Sequence, residues 1–124
     1  MIILDTNVLV ASIFENHPHH PRAETIIENL RGSKEKQCIT YGVLVELSQV
    51  MHRFRSAAFA AVQVADAIKT FEILSPNDLA QVSEVYLAHC SKLSFVDCEI
   101  LVISREIGAE LITFDEKLQK ALAP

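Results

Sequence analysis

The sequence predicts an α/β fold in which a parallel sheet of about four to five short strands is flanked by helices on both faces. Short apolar runs alternate with longer segments of helical periodicity. The first run, Met1–Leu4, and the last, Glu110–Phe114, each lead into an aspartate, Asp5 and Asp115. In open α/β sheets, ligands bind outside the carboxyl ends of the strands. The sequence therefore predicts a three-layer α/β/α domain with a shared acidic site at one edge of its sheet.

Length and composition indicate one folded domain over residues 1–124. Half of the chain is apolar, with three glycines and four prolines, which excludes a disordered protein. A net charge of −5 argues against broad attraction to nucleic acid but not against a local binding site. The three cysteines, Cys38, Cys90 and Cys98, show no close metal-ligand spacing and indicate reduced thiols.

The N-terminal apolar run is too short for a targeting signal. Asp5 interrupts it, whereas a signal peptide needs about 7–15 apolar residues. No other run reaches the ~18 apolar residues of a membrane span. We therefore expect a cytoplasmic protein without a membrane anchor.

The first half of the chain contains two strands, each followed by helices. Val8–Phe14 is a short helix that turn-forming residues end, and Arg22–Arg31 is a second helix that ends at Gly32. Gln37–Thr40 is the second strand. Apolar residues then recur at helical spacing from Val43 to Phe54.

The second half continues in the predicted order helix, strand, helix, helix, strand, helix. Its first four elements are Ala57–Thr70, Phe71–Leu74, Asn77–Cys90 and a helix from Ser94 to Gly108. Ser75 is predicted to cap the helix from Asn77. The helix after Ser94 is apolar on all sides and should be buried.

Asp97 has two possible roles. It lies three residues after Ser94, the spacing of a capping box. Helical spacing also places it on the same face as Ile100, Leu101 and Ser104. Both roles can hold, because a carboxylate has about four lone-pair sites.

Simpler alternatives exist for the other acids. Glu46 lies at the edge of an apolar helix stripe and fits a solvated boundary residue. Thr113 could cap the last helix, and Asp115 would then only interact favourably with the positive N-terminal end of that helix. Glu99, two positions from Asp97, is interpreted as surface charge.

An acidic site without a nearby lysine favours a hard divalent cation. Clustered carboxylates repel one another in a low-dielectric site, and a cation removes that cost. Oxygen ligands suit Mg²⁺ or Mn²⁺ better than Zn²⁺. His17, His19 and His20 do not change this expectation, because prolines interrupt them; a solvated loop fits better than a zinc site.

Four short motifs in this order resemble the PIN-domain family, in particular the VapC-like toxin ribonucleases of type II toxin–antitoxin systems. They are Asp5-Thr6-Asn7, Glu46, Leu93-Ser94-Phe95-Val96-Asp97-Cys98 and Thr113-Phe114-Asp115. The resemblance extends over the whole chain.

The resemblance implies a site in which four acids converge around one or two Mg²⁺ or Mn²⁺ ions. These catalytic and metal-binding residues are Asp5, Glu46, Asp97 and Asp115. The polar residues that would orient them are Thr6, Asn7, Ser94 and Thr113.

The implied function is that of a metal-dependent endoribonuclease. A metal-activated water would hydrolyse an RNA phosphodiester, leaving a 5′ phosphate and a 3′ hydroxyl. Basic residues at the rim would hold the RNA backbone, and the candidates are Arg22, Arg53, Arg55 and Lys92. The resemblance also implies a small antitoxin partner and a homodimer, with Ala57–Ala67 available for either interface.

Two other functions remain open at this stage. One is a non-catalytic binding protein of the same fold, which the presence of all four acids disfavours. The other is a receiver-like phospho-acceptor module. That class needs an acidic pair in the first loop and a lysine after the last strand, and neither Asp5-Thr6-Asn7 nor Thr113-Phe114-Asp115 supplies them.

Overall fold

A parallel four-stranded sheet forms the centre of the fold. It is described from a computed structural model, which defines the structure of residues 1–123; Pro124, the last residue of the predicted domain, lies outside them. The strands are β1 (Ile2–Leu4), β2 (Gln37–Thr40), β3 (Glu72–Leu74) and β4 (Glu110–Ile112). Their spatial order is β3-β2-β1-β4, and every pairing is parallel. The parallel sheet predicted from the sequence is confirmed.

Helices connect the strands and cover the sheet. Within residues 1–123 they are α1 (Thr6–Ile13), α2 (His20–Arg31), α3 (Tyr41–Phe54), α4 (Ala57–Thr70), α5 (Leu79–His89), α6 (Phe95–Ile107) and α7 (Glu116–Leu122). Ile3 and Leu4 on β1 are both 0% exposed. Because successive strand residues point to opposite faces, their burial means that helices cover both faces of the sheet. The predicted three-layer architecture is confirmed.

Local capping signals determine several helix ends. Ser94 and Asp97 form the predicted capping box of α6, and Gly108 ends that helix with φ 65°. Only glycine readily adopts such a backbone angle. The cap of α5 differs from the prediction: it is Asp78, whose Oδ1 accepts a hydrogen bond of 2.9 Å from Ala80 N, and not Ser75.

The C-terminal ends of β1 and of its neighbour β4, an edge strand, lie side by side. The backbone N–H of Asp5 donates to the carbonyl oxygen of Ile112 over 3.0 Å. Thr113 and Asp115, which follow β4, are therefore placed beside the residues that follow β1. α1 and α7 both begin at this edge of the sheet, so their positive N-terminal ends lie near it.

Cys38, Cys90 and Cys98 all fall within the described residues and are free thiols. No helix in residues 1–123 has the length and apolarity required to cross a bilayer.

Candidate active site

A cleft of about 500 Å³ lies at the carboxyl edge of the sheet. All four acids predicted from the sequence line it: Asp5, Glu46, Asp97 and Asp115. Three of the predicted supporting residues line it as well: Thr6, Asn7 and Ser94. Residues far apart in sequence thus meet in one cavity, because the strand and helix ends that carry them meet there.

Asp5 is the most buried of these acids, with 5% exposure. Thr6 N donates to its Oδ1 over 2.7 Å, and Thr113 Oγ1 donates to its Oδ2 over 2.7 Å. Burial raises the pKa of the Asp5 carboxyl above its ordinary value of 3.8, and the bonds from Thr113 and Thr6 partly offset the rise. The charges of Asp97 and Asp115 raise it further. Asp5 therefore caps α1 and also belongs to an electrostatically coupled acidic group.

Glu46 faces the same cleft from the second turn of α3. Thr6 Oγ1 donates to its Oε1 over 2.7 Å. Burial raises its pKa, the Thr6 bond opposes the rise, and the negative charges of Asp5, Asp97 and Glu99 add to it. Glu46 is half-buried and hydrogen-bonded, so the alternative of a solvated boundary residue is wrong.

Asp97 and Asp115 each combine a capping role with a position in the cleft. Asp97 Oδ2 accepts from Ser94 N over 2.9 Å, while Ser94 Oγ accepts from Asp97 N over 3.1 Å. Asp115 Oδ1 accepts from Lys117 N over 2.9 Å, so Asp115 itself caps α7, and the alternative of a Thr113 cap is wrong. Within the described residues, the second oxygen of each carboxylate has no protein partner and is available to a ligand.

Thr113 connects the acids through one buried hydroxyl. Besides donating to Asp5, its Oγ1 accepts from Asp115 N over 3.0 Å and from Asn7 Nδ2 over 3.3 Å. Asn7 Oδ1 in turn accepts from Phe114 N over 3.1 Å. These hydrogen bonds join the residues that follow β1 to the residues that follow β4, next to the cleft.

We expect Thr113→Val to destabilise the fold by about 2–4 kcal/mol, because the isosteric change removes the hydroxyl and leaves its buried partners unsatisfied. Urea unfolding followed by circular dichroism would measure the loss. Thr70→Val, at an exposed position at the end of α4, is the matched control and should change stability by less than about 0.5 kcal/mol. Equal stabilities of the two variants would contradict this role of Thr113.

The donor set of the cleft suits a divalent cation, although the carboxylates are not gathered tightly. In residues 1–123, no three His, Cys, Asp or Glu side chains form a ready-made metal cluster. Mg²⁺ does not require one, since it commonly keeps several waters and uses one or two carboxylates directly. The oxygens without a protein partner, Glu46 Oε2, Asp97 Oδ1 and Asp115 Oδ2, fit such a site. The positive ends of α1, α6 and α7 make the clustered charge tolerable without an ion.

The rim contains fewer cations than the sequence suggested. Of the four basic candidates, Arg53 lines the cleft. The guanidinium groups of Arg22 and Arg55 instead lie 4.8 Å and 4.6 Å from the ring centroids of Phe114 and Phe59. Lys92 is exposed and does not line the cleft.

The three histidines at and before the start of α2 each contact other residues of the domain. His17 lines the cleft, and its Nδ1 accepts from His19 N over 3.0 Å. The His19 ring lies 5.1 Å from the Phe114 ring. His20 Nδ1 lies 2.8 Å from the carbonyl oxygen of Ala11. His17 and His19 lie in the turns between α1 and α2, as predicted, although His17 is half-buried; the loop prediction is wrong for His20, which begins α2.

The interpretation of Glu99 as surface charge is wrong. Glu99 is 7% exposed, and its Oε1 accepts from Gly42 N over 3.0 Å. Helical spacing indicates that Glu99 and Asp97 lie on different sides of α6. It does not show that α3 covers the Glu99 side. The signal available in the sequence was Gly42, a glycine in the first turn of a helix.

The fold and the cleft define a class: three-layer parallel α/β domains with a group of carboxylates at the carboxyl edge of the sheet. The sequence profile of the PIN domain matches residues 2–123. The chain belongs to the PIN domain family. A comparison with curated protein sequences found no match.

Solved structures show the same fold at low sequence identity. VapC20 of Mycobacterium tuberculosis, a toxin that cleaves the sarcin–ricin loop, has a TM-score of 0.82 and 23% identity, over 98% of this chain and 95% of that one. FitAcB of Neisseria gonorrhoeae has a TM-score of 0.73 and 18% identity, over 98% and 93%. VapBC-1 of nontypeable Haemophilus influenzae has a TM-score of 0.67 and 18% identity, over 98% and 92%. At these identities the likeness shows the fold alone.

The strand order also excludes the receiver-like alternative. Flavodoxin-like domains, which include receivers, have the order 2-1-3-4-5. Here β1 lies between β2 and β4, and β3 is at the edge.

Proposed function

We propose that this protein is a metal-dependent endoribonuclease and the toxin of a toxin–antitoxin pair. The observation that carries the proposal is the meeting of Asp5, Glu46, Asp97 and Asp115 in one cleft at the carboxyl edge of the sheet. Family membership supports the reaction class, because ribonucleases occur among PIN domains.

The proposed cofactor is Mg²⁺ or Mn²⁺, held by oxygens of the four acids. When bound, the ion would acidify the attacking water and offset negative charge on the phosphate oxygens. The raised pKa values of Asp5 and Glu46 support a cation here, because a positive charge would favour their ionised forms.

Protein groups perform the remaining tasks in this proposal. Thr6 and Thr113 hold Asp5 and Glu46 by hydrogen bonds, which fixes where these carboxylates face the substrate. A carboxylate oxygen of Asp97 or of a neighbouring acid that does not bind the ion would take the proton from water.

Arg53 and His17 are the proposed contacts to the RNA backbone. Arg53 would contribute a full positive charge at the cleft, where the surrounding acids repel phosphate. His17 Nδ1 is occupied as an acceptor, so the neutral ring carries its proton on Nε2 and can donate from there. A stretch of single-stranded RNA fits this narrow set of donors better than a broad duplex surface.

An antitoxin partner is proposed from the neighbouring structures and from a second groove. The similar structures from Haemophilus influenzae and Rickettsia felis are of VapBC proteins, and one from Klebsiella pneumoniae is a toxin–antitoxin complex. In this chain a groove of about 550 Å³ runs along α1, α2 and α4. Its lining combines apolar Ile13 and Ile27 with four acids, Glu15, Glu24, Glu28 and Asp66, which outnumber its basic residues, Arg31 and His20. A basic, partly apolar antitoxin segment would complement it, and a neighbouring reading frame for a small DNA-binding protein is the expected genomic context.

A homodimer is proposed as well. The alanine-rich α4 buries Ala60 and Ala67, while its Val62 is 64% exposed and available to a second copy. Light scattering of the purified protein would determine the mass in solution.

The experiment that tests the function is mapping of RNA 5′ ends in cells after brief induction. We expect new 5′-phosphate ends with the unaltered protein and none with Asp97→Asn. The purified protein should cleave the mapped RNA with Mg²⁺ or Mn²⁺ and stop when EDTA is added. A transcriptome without new ends would contradict the proposal and favour a non-catalytic binding protein.

A further inference from the structure

Glu99 and Gly42 form a close junction between α6 and α3. Glu99 is 7% exposed, and its carboxylate accepts from Gly42 N over 3.0 Å. Glutamate is rarely buried unless it is paired. Among residues 1–123, Glu99 forms no salt bridge. Its partner is instead the free N–H at the positive N-terminal end of α3, an interaction that stabilises a carboxylate.

Gly42 makes this approach possible. A Cβ at position 42 would lie 2.5 Å from Glu99 Oε1 and 3.1 Å from Val96 Cγ2. The first distance is a clash. Within the described residues, Gly108 is the glycine with positive φ, so the need for glycine at position 42 comes from this contact and not from its backbone angle.

The contact between Glu99 and Gly42 joins the two helices that carry Glu46 and Asp97. α3 carries Glu46 one turn after Gly42, and α6 carries Asp97 two residues before Glu99. A bond at this point therefore sets how far α3 stands from α6, and with it the separation of Glu46 and Asp97. Neither acid contacts the other through a hydrogen bond within the described residues, so their separation depends on how the two helices pack.

We propose that Glu99 is a positioning residue, which holds Glu46 and Asp97 at the spacing that a divalent cation requires by binding the N-terminus of α3. This inference rests on the proposed metal-dependent function. Groups that support metal ligands from behind typically change metal affinity by about 10–100-fold when they are removed. A residue that only stabilised the fold would leave the metal affinity of the folded protein unchanged.

Four variants of the full chain separate these roles. Glu99→Ala removes the bond, and Glu99→Asp keeps the charge but is too short to reach Gly42 N. Glu99→Gln keeps an acceptor of the right reach, and Gly42→Ala introduces the clash. We expect about a tenfold weaker Mn²⁺ affinity for the Ala, Asp and Gly42 variants, and an affinity within about threefold of the wild type for Glu99→Gln. Mn²⁺ titration by electron paramagnetic resonance would measure it at a temperature at which each variant is folded.

The double variant Gly42→Ala/Glu99→Ala tests whether the two residues act together. Removing the Glu99 side chain relieves the clash, so the double variant should bind Mn²⁺ no more weakly than Glu99→Ala alone. If the losses of Mn²⁺ affinity in the two single variants multiplied in the double variant, the proposed coupling of Glu99 and Gly42 would be contradicted. Glu106→Ala, exposed on the same helix, is the control and should match the wild type.

Two outcomes overturn the inference. If the wild type binds Mn²⁺ and cleaves RNA while every folded Glu99 and Gly42 variant binds Mn²⁺ equally well, the positioning role fails and the function stands. If the wild type neither binds Mn²⁺ nor cleaves RNA, the proposed function and the inference fail together. Should Glu99→Ala not fold, the comparison of Glu99→Asp with Glu99→Gln decides the same question.

Discussion

Asp97→Asn and Asp5→Asn are each expected to lower metal-dependent RNA cleavage by at least about 100-fold while the protein stays folded. Each substitution removes a negative charge and an oxygen ligand from the cleft without changing the size of the side chain. Initial rates on an RNA identified by end mapping, with Mn²⁺ present, would measure the loss.

Asp97→Asn is the cleaner of the two changes. Its amide oxygen can still accept from Ser94 N, so the capping box survives. At position 5, an amide nitrogen would face Thr113 Oγ1, which already accepts from Asp115 N and Asn7 Nδ2. For this reason the folding of both variants is checked by circular dichroism before their cleavage rates are compared. Glu84→Gln, exposed on α5, provides a control that should cleave normally. Undiminished cleavage by both purified Asp variants would contradict the site assignment.

Divalent metal is expected to stabilise the protein strongly at neutral pH. An ion that binds only the folded state at 100 times its dissociation constant adds about 2.7 kcal/mol to the free energy of unfolding. For a domain of this size the melting temperature should rise by about 10 °C. Differential scanning calorimetry with MnCl₂ and with EDTA would measure the difference. A rise that persists in the double variant Asp5→Asn/Asp97→Asn would place the ion elsewhere.

The same site predicts a pH dependence without metal. Because burial raises the pKa of Asp5 in the folded state above its ordinary value of 3.8, the folded protein holds this proton more tightly than the unfolded chain. Ionisation of Asp5 therefore lowers stability as pH rises from 3.8 through the folded-state pKa. Glu46 contributes with the same sign. As pH rises through this window, the wild type should lose stability relative to Asp5→Asn. The stabilisation of the wild type by added metal should increase over the same window.

Local signals account for what the sequence predicted well. The Ser94–Asp97 spacing and Gly108 determine the ends of α6 through contacts within a few residues, and both were predicted. The cap of α5 differs from the prediction because Ser75 and Asp78 offer competing local signals, and the structure has Asp78 as the cap.

The sequence by itself determined the order of strands and helices and the presence of acids at strand and helix ends, because periodicity and capping act over short distances. The resemblance already implied that four of these acids converge, and the tertiary structure decided how they are held, with the buried Thr113 hydroxyl donating to Asp5. The tertiary structure also decided that Glu99 is buried against Gly42. The physical reason is that burial, electrostatic coupling and close helix approach depend on which elements pack together, and the sequence of one element does not reveal what lies on its other side.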